Sequence, residues 1–185
     1  MAKLVSKTYG DALFENAVEE NRVDDFSEEA KGILKVLEEN QELTRLMNHP
    51  QIVKEEKLRL IEDIFKGKIS DEMIGLMRML IAKNHFNEME DVFIYFLNEV
   101  KEYKNIGTAY VTSAVELSEA QKKLVETRLL ETTKYVSFEM HYHVDAALIG
   151  GMVIRIKDRV VDSSIRTKLY ELSKELYNIP LGMTE

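Results

Sequence analysis

The sequence predicts an α+β protein, mostly α: an N-terminal six-helix bundle over residues 1–105, then a small mixed α/β C-terminal domain over residues 106–185. Three observations predict it. Apolar residues recur at helical spacing as far as Tyr103 and then begin to alternate, a switch from a period of about 3.6 to a period of 2. Most of the net charge of −8 lies before that switch. The segment Lys101-Glu102-Tyr103-Lys104-Asn105-Ile106-Gly107 joins the two regimes and is the expected boundary.

In the first part, Val5, Tyr9, Leu13 and Ala17 stand at steps of four, with Ala12 and Phe14 widening the stripe. Phe26, Ala30, Ile33, Leu34 and Leu37 make one face of a second helix. Leu43, Leu46 and Met47 predict a short third helix, stopped by Asn48-His49-Pro50 because the residue before proline resists the α region. Leu58, Ile61, Ile64 and Phe65 predict a fourth, closed by Gly67 just past its end. Ser70 is the expected cap of a fifth, with Asp71 and Glu72 where the helix dipole favours acids. Met89, Val92, Phe93, Phe96, Val100 and Tyr103 predict the sixth.

The second part mixes periods. Gly107 to Val115, rich in β-branched and small residues, reads as a strand. Ser118-Glu119-Ala120-Gln121 reads as a capping box opening a helix that runs to about Thr132. Val136, Phe138, Met140, Tyr142 and Val144 then alternate against Ser137, Glu139, His141 and His143, the cleanest strand in the chain. Met152 to Ile156 and Arg159 to Val161 predict a hairpin turning at Lys157-Asp158. Asp162 or Ser163 caps a last helix with Ile165, Leu169, Leu172 and Leu176 inward, ending before Pro180.

Composition removes several functions. With 45% hydrophobic and 31% charged residues the chain folds, and without cysteine it has neither disulfides nor thiolate chemistry. A net charge of −8 with no basic patch argues against nucleic acid as a partner. No run approaches the ~18 apolar residues of a membrane span, and the opening Met1-Ala2-Lys3-Leu4-Val5-Ser6-Lys7 lacks the apolar core of a signal peptide, so a mature cytoplasmic chain is expected.

Catalytic signals are weak. Gly150-Gly151 is followed by Met152 and a strand, whereas a phosphate loop needs Lys and Ser or Thr at a helix start. His141, His143 and Asp145 at i, i+2 and i+4 would share one strand face and supply a metal-ligand set, but no fourth ligand accompanies them. His49 and His85 fall at helix ends, where imidazoles meet free carbonyls. The expectation is therefore no catalytic residue, no cofactor and no metal. The anomaly is the segment Met73 to Ile81, where only Gly75 and Arg78 interrupt large apolar residues. Either this helix is central to the bundle, or one of its faces receives a partner's amphipathic helix.

Several segments resemble one family. Tyr9-Gly10-Asp11-Ala12-Leu13-Phe14-Glu15-Asn16-Ala17 is similar to the opening helix of the delta subunit of F-type ATP synthase, called OSCP in mitochondria. Leu46, Asn48, Pro50, Ile52 and Lys57, then Val111-Thr112-Ser113-Ala114-Val115-Glu116-Leu117-Ser118, match further elements in order. The most specific segments are Val144-Asp145-Ala146-Ala147-Leu148-Ile149-Gly150-Gly151, Ile154-Arg155-Ile156 and Val161-Asp162-Ser163-Ser164-Ile165-Arg166. The family usually has Ala where this chain has Gly10, and Gly where it has Ser163.

The resemblance implies a non-catalytic stator subunit of a proton-translocating ATP synthase, peripheral on the cytoplasmic face of a bacterial cell membrane. The N-terminal domain would clasp the N-terminal helix of an alpha subunit, and the C-terminal domain would join the C-terminal ends of the membrane-anchored b subunits, without inserting into the membrane itself. The alpha-subunit helix would lie between Val5, Tyr9 and Ala12 on one wall and Met73, Leu76 and Met79 on the other. Asp145, Gly150, Gly151 and Asp162 would be structural motif residues. Two alternatives stand beside it: a small metal-dependent hydrolase using His141, His143 and Asp145, or a helical adaptor unrelated to ATP synthase.

Overall fold

Helix stops and starts in this chain follow from a few side chains. Asn21, Asn84 and Asn105 each take a left-handed φ, at 56°, 60° and 53°, the region asparagine tolerates better than most residues. After α1 (Ala2–Glu19) the amide of Arg22 returns to Ala17 O at 2.9 Å and that of Asn21 to Val18 O at 3.1 Å. After α5 (Asp71–Ala82) His85 N returns to Leu80 O at 2.8 Å and Asn84 N to Ile81 O at 3.0 Å. Both are Schellman closures, with asparagine in place of the usual glycine. Between them lie α2 (Val23–Glu39), α3 (Gln41–Met47) and α4 (Lys54–Phe65). A 3-10 turn, Phe86–Glu88, then leads into α6 (Met89–Tyr103). Gly67 follows α4 at φ 75°.

The computed structural model describes residues 2–49 and 51–177, without the side chains of Ala2 and Leu176. Pro50, the expected stop of α3, and Pro180 lie outside the described residues. Two units are separated between Tyr103 and Lys104. The core of the first is built on α6, whose Val92, Phe93 and Phe96 are fully buried, and α1 and α2 both pack on that helix.

The face that α1 gives to the core is set by Ser6, Gly10, Leu13 and Ala17. It is thus one position away from the expected run at its start: Val5 and Tyr9 are half-buried and Ala12 is exposed. Small residues win here because the helices approach closely. A methyl group on Gly10 would fall on the ring of Tyr95, whose hydroxyl donates to Asp11 Oδ1 at 2.9 Å. Ser70 precedes α5 but does not cap it with its side chain, as its hydroxyl donates instead to Glu29 Oε2 at 2.6 Å. The amide of Ser70 donates to the same oxygen at 3.1 Å, so α2 holds the start of α5. Lys54 holds its end, donating from Nζ to Ala82 O at 2.9 Å.

The second unit runs β1 (Ile106–Ser113), α7 (Glu119–Thr132), β2 (Ser137–Val144), a 3-10 turn (Ala146–Leu148), β3 (Met152–Ile156), β4 (Arg159–Asp162) and α8 (Ile165–Tyr177). The capping box of α7 forms, with Gln121 N donating to Ser118 Oγ and Ser118 N to Gln121 Oε1. The sheet order is β2-β1-β3-β4. β1 and β2 are parallel, with Ile106 opposite Ser137 and Ser113 opposite Val144, and α7 is the crossover that parallel neighbours require. β1–β3 and β3–β4 are antiparallel. Val125 and Leu129 of α7 join Ala109, Val111 and Phe138 in the core of this unit, on one face of the sheet. The alternating side of β2 is buried only at its start: Phe138 is buried, whereas Tyr142 and Val144 are exposed, and Val136 lies exposed before the strand.

Two outcomes follow. A fragment of residues 1–103 is expected to unfold cooperatively with a strong helical far-UV signal, since its core closes without the second unit; a non-cooperative melt would contradict this. The second concerns Tyr95, whose pKa is raised from 10.0 to about 12 by its hydrogen bond to Asp11, then by burial and nearby acids. A raised folded-state value means that its contribution is complete below the ordinary tyrosine range and is lost as pH rises through about 12. Alkaline denaturation should therefore be shallower between those limits for Tyr95→Phe than for the parent chain.

Candidate functional site

At about 100° per residue, Met73, Ile74, Met77, Leu80 and Ile81 cover one arc of α5, and all are buried. Met73 is 0% exposed and belongs to the core, so its expected place on the groove wall is corrected. The expectation grouped it with residues 76 and 79; Met73 is the neighbour of Leu76 at i, i+3 but falls inside the buried arc, about 120° from Met79. Leu76 sits at the edge of the buried arc, half-buried against the core, and Met79 is outside it, 50% exposed. The helix is therefore neither fully central nor split into two equal faces.

A parallel arrangement occurs on α1. Val5, Tyr9 and Ala12 lie beside its buried arc and keep part or most of their surface in solvent. The rings of Tyr9 and His85 are 6.4 Å apart, which brings the middle of α1 to the segment that follows α5. His85 meets Glu88 at 3.6 Å, and Nδ1 of His49 accepts from Gln51 N at 3.3 Å, so neither imidazole takes the helix-end carbonyl contact expected of it. Exposed Ile94 on α6 was not singled out by the sequence.

In the second unit the motif residues tie one corner together. Asp145 Oδ1 accepts from Ala147 N at 2.9 Å and shapes the 3-10 turn, while Leu148 is buried. Gly151 has φ 75°, and a methyl group there would meet the carbonyl oxygen of Ser163. Gly150 O accepts from Ile165 N at 2.9 Å, and a methyl group on Gly150 would fall on the Ile165 side chain. Asp162 starts α8: Oδ1 accepts from Ser164 N at 2.8 Å and Oδ2 from Thr167 Oγ1 at 2.7 Å. These hydrogen bonds, those to Ser164 first, hold its carboxyl below the usual carboxylate range. Ser163 donates from Oγ to Met152 O at 2.8 Å.

The expected inward stripe of α8 is not inward. Ile165, Leu169 and Leu172 are all exposed; among the described helical residues, those that join the core on the apolar face of the sheet belong to α7. Leu176, the fourth residue of that stripe, lies outside the described side chains. Next to the start of α8, Ile149 is 63% exposed at φ 67°, a conformation that costs a β-branched residue of order 1–3 kcal/mol. In the sequence Ile149 stands out only as part of the segment 144–151 that resembles the family.

The histidine cluster does not assemble into a metal site. His141 and His143 share a strand face, but Asp145 lies past the strand end with its carboxylate engaged in the turn. Among the described residues, no group of three or more His, Asp or Glu could hold a metal ion. Nor is any described helix long and apolar enough to cross a membrane.

A family model described as "ATP synthase delta (OSCP) subunit" matches residues 5–176. The chain belongs to the ATP synthase delta (OSCP) subunit family. An ATP synthase subunit delta of Lachnoclostridium phytofermentans is 54% identical over 182 residues, covering 98% of this chain and 100% of the relative. Another from Desulforamulus reducens is 34% identical, covering 93% and 94%. A chain of the Toxoplasma gondii mitochondrial ATP synthase shares the fold at a TM-score of 0.71 and 14% identity, over 93% of this chain and 97% of that one. As a delta-family member the chain is a non-catalytic component of the complex, and the hydrolase alternative has no support.

The delta-family N-terminal unit should separate core from surface on α5. Met73→Asp buries an unpaired carboxylate and is expected to unfold residues 1–103, costing about 3 kcal/mol or more. Met79→Asp should change the melting midpoint little. Paired thermal melts check this, and equal losses would contradict the assigned phase.

Proposed function

We propose that this chain is the stator tether of an F-type ATP synthase, with its first unit on the catalytic head and its second on the peripheral stalk. The observation that carries the proposal is that each unit leaves apolar side chains of its helices in solvent among the described residues. In the first unit these include Met79 on α5, with the edge of Leu76, and on α1 Val5, Tyr9 and Ala12, which keep part or most of their surface exposed. In the second they include Ile165, Leu169 and Leu172 on α8, with Ile149 beside them. Two docking faces on two separate folding units are what a tether needs, because each end is then gripped without the other unit being disturbed.

The first face suits an amphipathic helix such as the N-terminal helix of an alpha subunit, laid along apolar anchors with a flexible methionine at the contact. The second suits the C-terminal ends of the b subunits. The chain would then sit peripherally at the cytoplasmic face of a bacterial membrane, held there by the b subunits. Resisting rotor torque in this way transmits force and involves no bond-making step.

The test is calorimetric titration of the full chain with a synthetic peptide spanning the N-terminal helix of the alpha subunit. One-to-one binding is expected, weakened by about 2 kcal/mol or more in Met79→Asp and unchanged in Leu169→Asp. The reverse pattern is expected with a peptide from the C-terminal end of a b subunit. Failure of both peptides to bind would overturn the proposal.

A further inference from the structure

The sheet order leaves β2 at one edge and β4 at the other. β4 has four residues, whereas β2 has eight. Proteins blunt exposed sheet edges with short strands, bulges, Lys or Pro. β2 uses none of these: its register against β1 runs unbroken from Ser137 to Val144, and residues 136–144 contain neither Lys nor Pro. The amide of Val136 donates to Asn105 O at 2.8 Å, on the β1 side. Backbone groups turn to opposite neighbours at successive residues of a strand, so those of the odd-numbered residues of β2 turn outward. Among the described residues no strand lies beyond that edge.

The side chains along this edge have a two-fold pattern of their own. About Met140 the run is chemically alike in both directions: Val136 answers Val144, Ser137 answers His143, Phe138 answers Tyr142, and Glu139 answers His141. Even-numbered residues face α7, as the Tyr142 hydroxyl shows by donating to Lys122 O at 3.3 Å. Odd-numbered ones lie on the open face of the sheet. There the register aligns Arg155, Tyr110 and His141 in one row across three strands. The Tyr110 and His141 rings are stacked 5.0 Å apart at 18°, and the Arg155 guanidinium lies 5.0 Å from the centre of the Tyr110 ring. That row fixes the imidazole beside Glu139, whose Oε1 is 3.4 Å from His141 Nε2. On the α7 side the roof ends before the edge: Ala109 and Val111 of β1 are fully covered, Met140 is half-buried, and Val136, Tyr142 and Val144 are exposed.

We propose that the free chain associates with a second copy of itself through this edge, β2 against β2, antiparallel, with Met140 opposite Met140. The two-fold pattern selects the occupant. In that register aromatic meets aromatic and β-branched meets β-branched on the α7 side, while a carboxylate meets an imidazole donor on the open side, which are the cross-strand pairs that stabilise sheets. The neighbouring registers lose this match. Centred one residue earlier, Glu139 faces its own copy, like charge against like; centred one later, His141 faces its own copy and gives up the carboxylate. The second strand also covers Val136, Tyr142 and Val144, which α7 leaves in solvent. Strand addition buries little area, so the dimer is weak and depends on concentration. The proposal does not rest on the tether reading, since it uses none of the exposed helix residues that support it.

The experiment is sedimentation equilibrium of the full chain at concentrations from micromolar to millimolar, with two variants. A monomer–dimer equilibrium is expected for the parent. His141→Glu sets a second carboxylate opposite Glu139 at both symmetry-related positions and is expected to weaken the dimer about tenfold or more. Glu139→Lys removes the acceptor opposite His141 and is expected to weaken it as well. An equimolar mixture of the two variants should associate again. In the mixed dimer the new ammonium faces the new carboxylate, and the remaining Glu139 faces the remaining His141. Only antiparallel pairing centred on Met140 gives that rescue. Both substituted residues are exposed, so the variants are expected to keep the fold, and far-UV spectra and thermal melts of each check this. A chain monomeric throughout, which leaves the edge to a different polypeptide, a dimer indifferent to both substitutions, or variants that fail to associate when mixed would each overturn the proposal.

Discussion

The close approach of α1 to α6 is the contact on which the first unit depends. Gly10 admits the Tyr95 ring, Tyr95 reaches past it to Asp11, and Phe93 and Phe96 on the same helix fill the centre of the bundle. With α1 and α2 both laid on α6, the remaining helices are arranged around what is left. α5 is located by its ends, Ser70 held by Glu29 and Ala82 by Lys54, so its phase follows from polar anchors as much as from its apolar residues. That phase turns Met73 inward and leaves Met79 outside.

The order and type of the α-helices and strands could be read from periodicity, because long amphipathic helices and the alternating run 136–144 carry strong signals, whereas the two three-residue 3-10 turns are too short to carry a period. Ser118 with Gln121 was readable for the same reason: a local motif needs only local geometry. The errors share one cause. Placing Met73 on a groove and Ile165, Leu169 and Leu172 inward required knowing which neighbour covers a face, and that is decided by parts of the chain far away. Small residues in α1 misled in a related way, since Ser6 and Gly10 are buried for closeness of approach and not for hydrophobicity. The helix-ending role of Asn21, Asn84 and Asn105 was within reach of the sequence, as asparagine is the usual second choice to glycine at that position.

The sheet shows the same limit more sharply. Tyr110, His141 and Arg155 are far apart in sequence, and each looks like an ordinary polar position of a half-buried strand. Their alignment exists only once β1 is known to pair in parallel with β2 and antiparallel with β3. The motif around Gly150 and Gly151 was legible as important, but its role comes from contacts with residues 163–165 that spacing alone does not reveal. Helices announce their faces one at a time. Sheets do so only after their order is known.

The reliance of α1 on α6 also sets an order of events during synthesis. The first helix leaves the ribosome with Leu13 and Ala17 ready to be buried, but the residues that bury them, 89–103, are made almost a whole domain later. Until then this stripe has only provisional partners, and closure joins the two ends of a segment about a hundred residues long, an entropic cost that grows only slowly with length. The second unit has no such wait on the first, for its strands pair among themselves within residues 106–162. A nascent chain therefore completes its helical unit in one late step and builds its sheet afterwards, and a ribosome stalled before residue 89 holds a set of helices without the one that organises them.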